Sequence, residues 1–330
     1  METSQLDVQE SIVSKHDNNH KSKTVVSCIV ALYNSENYID ELIDQLESSL
    51  VNFSYEIIFV DDGSTDNTAN KVQTRIPSNK NFKLIKMRST FGESAALDAG
   101  LKQSIGQNIL YFTSRVRINI LQLENLLNQL DNGYDLVMGW RYPRGDSKLN
   151  RIVSKLFNYI INKITQLNLH DINSGVLAVK KQVLENIEFY GGFSNFIPVL
   201  ALKQGYKITE EKIEQLPGAF RTSRYVSEYI RRFLDIITVI FLTKYSKKPI
   251  HFLGFLGAIF TILGISINFY LFICRIFLSS PIAGRPLLLL GALFLIIGIQ
   301  MVSIGLIGEM IIFTHAKEIK EYNIEEIISQ

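Results

Sequence analysis

The 330-residue sequence has little cysteine, little net charge and no dinucleotide-binding glycine motif, and each absence narrows the range of functions. Only two cysteines occur, Cys28 in a predicted buried strand and Cys274 in an apolar segment. We therefore expect no disulfide, which fits a reducing compartment. The net charge of +2 gives no bulk attraction to nucleic acid, so we expect no nucleic-acid partner. No G-x-G-x-x-G follows the first predicted strand, which argues against a dinucleotide-binding Rossmann domain.

Residues 55–68 are the most informative stretch that is present. A short apolar run, 57–60, ends at two adjacent carboxylates, Asp61 and Asp62, and a Gly-Ser turn follows. Such a run bounded by turn residues predicts a buried strand of a parallel sheet. Ligands of open α/β sheets bind beyond the carboxyl ends of the strands, so we expect both acids to face a ligand crevice. The plainer alternative is that both acids only serve the turn.

Predicted strands and helices alternate between residues 24 and 140, which predicts an α/β fold with a doubly wound, mostly parallel sheet. The strands are predicted at 24–32, 57–60, 82–86, 108–112 and 136–140, and the helices at 38–50, 65–75, 91–104 and 120–130. Residues 1–23 are polar, lack the apolar core of a secretory signal and are predicted to form a mobile tail.

Two long uncharged apolar segments lie near the end of the chain, at 252–274 and 287–308. Each is long enough to cross a bilayer as a helix, so we predict two transmembrane helices within 250–314. Lysines flank the outer ends of this pair more densely than the loop between them, which predicts a multi-pass protein of the inner or plasma membrane with both termini cytoplasmic. We expect interfacial amphipathic helices at 225–249 and a cytoplasmic tail at 315–330.

Three stretches carry a resemblance to a known family: residues 30–36 (Val-Ala-Leu-Tyr-Asn-Ser-Glu), residues 55–68 and residues 88–100. They resemble the family-2 glycosyltransferases, in particular the polyprenyl-phosphate branch of bactoprenol glucosyltransferases and dolichol-phosphate mannose synthases. The resemblance implies the glycosyltransferase A-type fold over residues 24–224, with the catalytic domain in the cytoplasm. It also implies a nucleotide-sugar donor held by residues at or just after the ends of the first two strands, namely Ala31, Tyr33, Glu36, Asp61 and Asp62. Carboxylates suit this role because they accept strong hydrogen bonds from base and ribose donors.

The sequence departs from this family where the fourth predicted strand ends. There the family has an Asp-x-Asp that binds Mg²⁺ or Mn²⁺, whereas this chain has Thr113-Ser114-Arg115. Threonine is a poor ligand for a hard cation and arginine repels it, so we expect no metal site and no metal cofactor.

Three interpretations of this departure stay open. In the first, catalysis has been lost. In the second, Arg115 acts in catalysis by neutralising the donor diphosphate, with Arg117 on the same side if the chain stays extended. In the third, a metal binds in a mode that the family motif does not show. The resemblance also places Arg224, in a basic loop, on the donor phosphates.

Residues after the fifth predicted strand carry the predicted acceptor side. The resemblance places Arg141 near the transferred phosphate, and it places Asp171, in a segment similar to the family's Asp-x-x-Ser-Gly-Phe-Arg, at the acceptor pocket. Both are candidate catalytic residues. Arg151 and Ser154 share one face of a predicted helix and are, with Arg141, candidates for binding a lipid phosphate. Lys155 lies on the same helix face, and the alternative for this residue is a solvent-exposed position with no role in binding.

These features together predict a membrane-anchored glycosyltransferase that transfers a sugar from a nucleotide sugar to a polyprenyl phosphate without a metal. The alternative is a catalytically degenerate homologue that binds a nucleotide sugar or a lipid as a scaffold beside an active transferase or a flippase. The expected partners are a nucleotide sugar, polyprenyl phosphate, the lipid bilayer, and either further copies of the chain, as in a tetramer, or a flippase.

Overall fold

The computed structural model describes residues 25–145, 148–187, 196–217, 234, 237–238, 241, 245, 248–278 and 286–315. They fall into two compact units that divide after residue 229. The predictions for the 1–23 tail, for Arg224, for most of the 225–249 segment and for the tail beyond residue 315 lie outside the described residues.

The first unit is built on a mixed sheet, in which the described residues form seven strands in the order β3-β2-β1-β4-β6-β5-β7. The strand β6 is antiparallel to both of its neighbours, and every other pair in the sheet is parallel. This confirms the predicted α/β, mostly parallel sheet. The strands are β1 Val25–Leu32, β2 Ser54–Asp61, β3 Phe82–Lys86, β4 Asn108–Thr113, β5 Leu136–Arg141, β6 Val176–Lys180 and β7 Ile208–Ile213.

Helices alternate with these strands, as the periodicity of apolar residues predicts. The helices described in this unit are α1 Ile39–Leu50, α2 Thr68–Arg75, α3 Glu93–Gln103, α4 Leu123–Asp131, α5 Lys148–Thr165, α6 Lys181–Glu185 and α7 Ile197–Lys203. Short 3-10 turns cover Ile76–Ser78 and Ile120–Gln122. The predicted helix at 120–130 therefore divides into a 3-10 turn and α4.

The central strands β1, β2 and β4 form the core of the unit. Their apolar side chains are almost fully buried, and the apolar face of α1 packs into the same cluster. Phe59 of β2 meets Phe82 of β3 edge to face, with ring centroids 5.5 Å apart. Burial of this apolar surface is the main stabilising contribution and fixes the strand ends that carry the polar residues.

Two strands of the sheet were not among the five predicted. The strand β6 lies where a polar motif was expected, and its Val176 and Leu177 are buried between β4 and β5. The strand β7 contains Thr209, Glu210, Glu211 and Lys212 and, among the described strands, pairs with β5 alone. A charged strand at the edge of a sheet lacks the apolar run on which the prediction relied.

The second unit contains two long helices, α8 Pro249–Leu278 and α9 Pro286–His315. Both are long and apolar enough to cross a membrane. The helices approach closely at glycines, because a Cβ added to Gly298 would lie 2.7 Å from the carbonyl oxygen of Gly257. Close backbone approach at small residues is typical of helix pairs in membranes.

Candidate active site

The carboxyl ends of β1, β2 and β4 bring the predicted donor residues together at one edge of the sheet. In the strand register, Leu32 lies beside Asp61 and Ala31 lies beside Thr113. The chain leaves β1 toward one neighbour, β2, and β4 lies on the other side of β1. Such a point, where the strand order changes direction, is where open α/β sheets bind ligands.

The two adjacent acids have different surroundings, although both are almost fully buried. Asp62 accepts hydrogen bonds from the backbone N–H groups of Phe91, at 2.7 Å, and Gly92, at 3.1 Å. Gly92 has a φ of 95°, which glycine adopts readily, and lies directly before α3. Among the described residues, Asp61 Oδ1 has no hydrogen-bond partner, so this buried oxygen is free to accept a bond from a ligand.

Ser114 ties the loops after β1 and β4 together. Its hydroxyl oxygen accepts hydrogen bonds from the Tyr33 N–H group, at 3.1 Å, and from the Ser35 hydroxyl, at 2.7 Å. The Tyr38 hydroxyl donates to the Ser114 carbonyl. The position of Tyr33 is therefore set by the central residue of the Thr-Ser-Arg segment.

Glu36 forms part of a brace between the β1 loop and α2. Its Oε2 accepts a hydrogen bond from the Asn67 N–H group at 2.7 Å, and the Glu36 N–H group donates to Asp66 Oδ2 at 3.1 Å. Lys71 of α2 donates to the Glu36 carbonyl at 2.8 Å. One carboxylate oxygen of Glu36 is thus engaged within the protein, which gives this residue a structural role whatever it contributes to a nucleotide.

Arg115 extends from the end of β4 across the Tyr33 ring. Its guanidinium carbon lies 4.3 Å from the ring centroid, and its Nη2 lies 3.8 Å from Asp62 Oδ2. The side chain keeps 31% of its surface exposed. Arg115 therefore places a positive charge between the two predicted nucleotide residues.

The structure does not place Arg117 on the same side as Arg115. The expectation required an extended chain, but residues 114–115 form a turn. Arg117 instead contacts Glu41, at 3.3 Å, and the Pro217 carbonyl, at 3.4 Å, and lies over the Tyr38 ring. The two arginines consequently occupy separate surroundings.

The residues at the former Asp-x-Asp positions do not suit a divalent cation. Thr113 Oγ1 accepts the Arg115 N–H group at 3.3 Å and contacts Glu93 Oε1 at 3.5 Å, while Arg115 brings a positive charge to the same edge. No group of three or more His, Cys, Asp or Glu side chains suited to a metal occurs in the described part of the chain. Hard divalent cations prefer carboxylate oxygens, which Thr113 and Arg115 do not supply.

A second charged cluster lies beyond the end of β5. Arg141 holds Asp171 through two hydrogen bonds, of 2.6 Å from Nε and 3.1 Å from Nη2, and both side chains are buried. Arg144 lies 3.4 Å from the same carboxylate and donates to the Ser154 hydroxyl at 2.7 Å. Two guanidinium groups thus converge on one carboxylate at this end of the sheet. Asp171 accepts hydrogen bonds on both carboxylate oxygens.

The other predicted acceptor-side residues lie around this cluster. Arg151 is exposed on α5, one turn before the half-buried Ser154. His170 stacks on Trp140, with ring centroids 4.1 Å apart, and its ring pairs with Glu210. These contacts give His170 a structural role.

Sequence reasoning missed three residues that the structure brings to these clusters, Ser114, Glu93 and Arg144. Ser114 lay in the variable position of the family motif, and Arg144 in a basic turn whose partners depend on long-range contacts. Glu93 had a signal, because Glu-Ser stands where the polyprenyl-phosphate branch usually has Lys-Glu.

Comparison with known proteins identifies this arrangement of residues. Residues 27–188 match the model of glycosyl transferase family 2. The chain carries a family-2 glycosyltransferase domain. The dodecaprenyl-phosphate galacturonate synthase of Rhizobium johnstonii is 28% identical over 301 residues, which cover 89% of each chain.

Solved structures with the same fold include glucosyl-3-phosphoglycerate synthase of Mycobacterium tuberculosis. Its complex with Mn²⁺ and UDP-glucose superposes with a TM-score of 0.52 at 21% identity, covering 67% of this chain and 79% of that one. Its complex with UDP gives a TM-score of 0.51 at 20% identity, over 67% and 80%. These likenesses confirm the glycosyltransferase A-type fold, and those neighbours include Mn²⁺ complexes. With two bilayer-length helices after the family-2 domain, the chain is a membrane-anchored glycosyltransferase.

Proposed function

We propose that this glycosyltransferase transfers a sugar from a nucleotide sugar to a polyprenyl phosphate at the cytoplasmic face of a membrane. The observation that carries the proposal is the match to a dodecaprenyl-phosphate sugar synthase over 89% of both chains. A match of that length extends well beyond the 27–188 domain. The scaffold alternative is not favoured by this match.

On the donor side, we assign the nucleotide to the edge formed by β1 and β2. The unpartnered Oδ1 of Asp61 supports this assignment, because a buried acceptor gains most from a ligand N–H or O–H group. Ala31, Tyr33, Glu36 and Asp62 complete the assigned nucleotide residues. Arg115 is assigned to the donor phosphates, and Arg224 is assigned to them from the family resemblance alone.

We propose that Arg115 offsets the leaving-group charge in place of a metal ion. A site with two carboxylates and one divalent cation has a charge near zero, whereas Thr113 and Arg115 together contribute one positive charge. A guanidinium also matches phosphate oxygens with two parallel hydrogen bonds. Because Arg115 is already in place before the donor binds, its charge needs no rearrangement as negative charge develops on the diphosphate.

On the acceptor side, we assign the lipid phosphate to the cluster of Arg141, Arg144, Arg151 and Ser154. The convergence of Arg141 and Arg144 on this end of the sheet, with Arg144 partly exposed, supports the assignment, because guanidinium groups bind phosphate oxygens well. Asp171 then positions Arg141 through its two hydrogen bonds. A phosphate acceptor is already anionic and needs no strong base. Its oxygen forms the new bond to the anomeric carbon as the nucleoside diphosphate leaves with the electron pair of the broken bond, which inverts that carbon.

A transfer assay tests this function directly. The full-length protein, purified in detergent, is incubated with undecaprenyl phosphate and a panel of UDP- and GDP-sugars, with EDTA, Mg²⁺ or Mn²⁺. We expect one donor to give a lipid-linked sugar at similar rates with EDTA and with either ion. Loss of transfer in EDTA contradicts the arginine substitution, and binding of donor and lipid without any transfer supports the scaffold.

The double variant Thr113→Asp/Arg115→Asp is the companion test of the metal proposal. Restoring both carboxylates removes the fixed cation and recreates an oxygen-rich edge, so transfer by this variant is expected to require Mg²⁺ or Mn²⁺.

Size-exclusion chromatography with light scattering on the wild-type protein in detergent tests the predicted tetramer.

A further inference from the structure

We infer that Tyr33 and Asp62 are positioning residues that hold the Arg115 guanidinium ready for the donor diphosphate, so that the Tyr33 ring serves the arginine rather than a nucleobase. The inference rests on the proposed nucleotide-sugar donor and assigns Tyr33 a different part in binding it.

The geometry of Arg115 supports the first part of this inference. Its guanidinium carbon lies 4.3 Å from the centroid of the Tyr33 ring. This is well within the roughly 6 Å over which a cation is attracted to an aromatic face. The arginine therefore covers one face of the ring, and a base stacked on that face would have to displace it.

The Arg115 guanidinium retains its hydrogen-bonding capacity. Its nearest carboxylate oxygen, Asp62 Oδ2, is 3.8 Å away, too far for a hydrogen bond but close enough for electrostatic attraction. Within the described ranges, the guanidinium makes no hydrogen bond, and nearly a third of the side chain is exposed. Its N–H groups are thus available to two phosphate oxygens at once.

Both partners of Arg115 are themselves fixed. The Tyr33 backbone donates to Ser114, and Asp62 is held by the Phe91 and Gly92 N–H groups. A cation held in place before the ligand arrives loses little conformational entropy when it binds. Arg117 differs, because its guanidinium already donates to Glu41 and to the Pro217 carbonyl.

The test compares nucleotide and nucleoside binding to the full-length protein in EDTA. Dissociation constants for UDP and uridine are measured by calorimetry, with GDP and guanosine in parallel. Arg115→Met is expected to weaken binding of the diphosphate about tenfold or more and to leave nucleoside binding within about twofold. Tyr33→Leu is expected to weaken diphosphate binding about threefold to fivefold, again without an effect on the nucleoside. Tyr33→Phe keeps the ring and is expected to bind like the wild type.

A double-mutant cycle separates positioning from a general structural effect. In the Arg115→Met background, Tyr33→Leu is expected to have no further effect on UDP binding, since there is no cation left to hold. Arg75→Met is the matched control, because Arg75 is a similarly exposed arginine paired with Asp44 and distant in sequence from this edge. It is expected to bind UDP like the wild type. Arg115→Lys keeps the charge without the planar fork and is expected to lie between the wild type and Arg115→Met.

Two results would overturn the inference. If Tyr33→Leu weakens the binding of UDP and of uridine equally, the ring stacks on the base. If Tyr33→Leu weakens UDP binding as much in the Arg115→Met background as in the wild type, the two residues are not coupled. Either result, in a protein that transfers sugar, leaves the proposed function intact. Coupling in a protein that transfers no sugar supports the positioning of Arg115 and contradicts the proposed function.

Discussion

Glu56 is a buried carboxylate on β2, toward the end of the strand opposite Asp61. Burial alone would raise its pKa. Hydrogen bonds from the Ile105 N–H group, at 2.7 Å, from the Lys83 ammonium, at 2.7 Å, and from the Ser27 hydroxyl outweigh burial and hold the pKa of Glu56 below its ordinary value. The ionised carboxylate thereby links β1, β2, β3 and the loop before β4.

We predict that Glu56→Gln destabilises the protein at neutral pH by about 1–2 kcal/mol, because the ion pair with Lys83 is lost and a buried acceptor is weakened. For a domain of this size, that change lowers the unfolding temperature by roughly 2–8 °C. Thermal unfolding of the full-length chain in detergent measures it.

The pH dependence provides the control for Glu56. A carboxyl with a lowered folded pKa stabilises the protein above its unfolded pKa of about 4.3, and this contribution is lost as pH falls through the folded value. The difference between wild type and Glu56→Gln should therefore be constant near neutrality and shrink below about pH 4. A difference that is unchanged at acid pH would show that the ionised carboxylate is not its source.

Asp171 makes a second prediction at the scale of single residues. Removing it leaves the buried Arg141 without its carboxylate partner, which costs about 3–5 kcal/mol in comparable pairs. Asp171→Ala is therefore expected to lower the unfolding temperature by at least about 6 °C. Asp44→Ala removes the exposed partner of Arg75 and is expected to change stability by less than about 1 kcal/mol. Equal effects of the two variants would contradict the account of the buried pair.

At the scale of elements, the closest approach in the second unit is between α8 and α9. A Cβ on Gly298 would lie 2.6 Å from the Thr261 backbone nitrogen, so the helices would have to separate. Gly298→Ala is expected to destabilise the helix pair by about 1–3 kcal/mol, despite the better helix propensity of alanine. Fluorescence-detected size exclusion after heating measures the change in thermal stability.

Gly254→Ala is the matched control for this helix pair. Its added Cβ would meet only the flexible end of the Ile250 side chain, at 3.2 Å. We therefore expect Gly254→Ala to have a thermal unfolding midpoint close to that of the wild type. Similar losses for both variants would mean that glycine at either position matters for a reason other than close helix packing.

The helices and strands differ in how far the sequence predicted them. The apolar strands β1, β2 and β4 were predicted because continuous apolar runs between turns are typical of buried parallel strands. The strands β6 and β7 were not predicted, because β6 is short and follows a polar motif and β7 is a charged edge strand. The apolar runs of α8 and α9 were recognised from their length and their lack of charge, although the helices extend beyond the predicted 252–274 and 287–308.

At the scale of the whole molecule, we predict an integral membrane protein with both ends in the cytoplasm. Two apolar helices joined by a short connection return the chain to its starting side, and lysines flank the outer ends. The full-length chain should remain in the membrane fraction after alkaline carbonate extraction. Green fluorescent protein fused to the C-terminus should fluoresce, and alkaline phosphatase fused there should be inactive.

The control for this topology is alkaline phosphatase inserted between residues 279 and 285, where it should be active. Activity of the C-terminal fusion, or inactivity of the inserted enzyme, would contradict the cytoplasmic orientation. Release of the chain by carbonate would contradict the membrane spans themselves.

The sequence by itself determined the fold class, the edge where the acids Asp61 and Asp62 lie, and the two apolar helices. These features depend on local periodicity and on the sizes of apolar runs, which a linear sequence contains. Tertiary structure alone decided that Arg115 lies on Tyr33 while Arg117 pairs with Glu41. It likewise decided that Glu36 braces Asn67. Such pairings join residues far apart in the chain through turns such as that at 114–115, and no periodicity of the sequence specifies them.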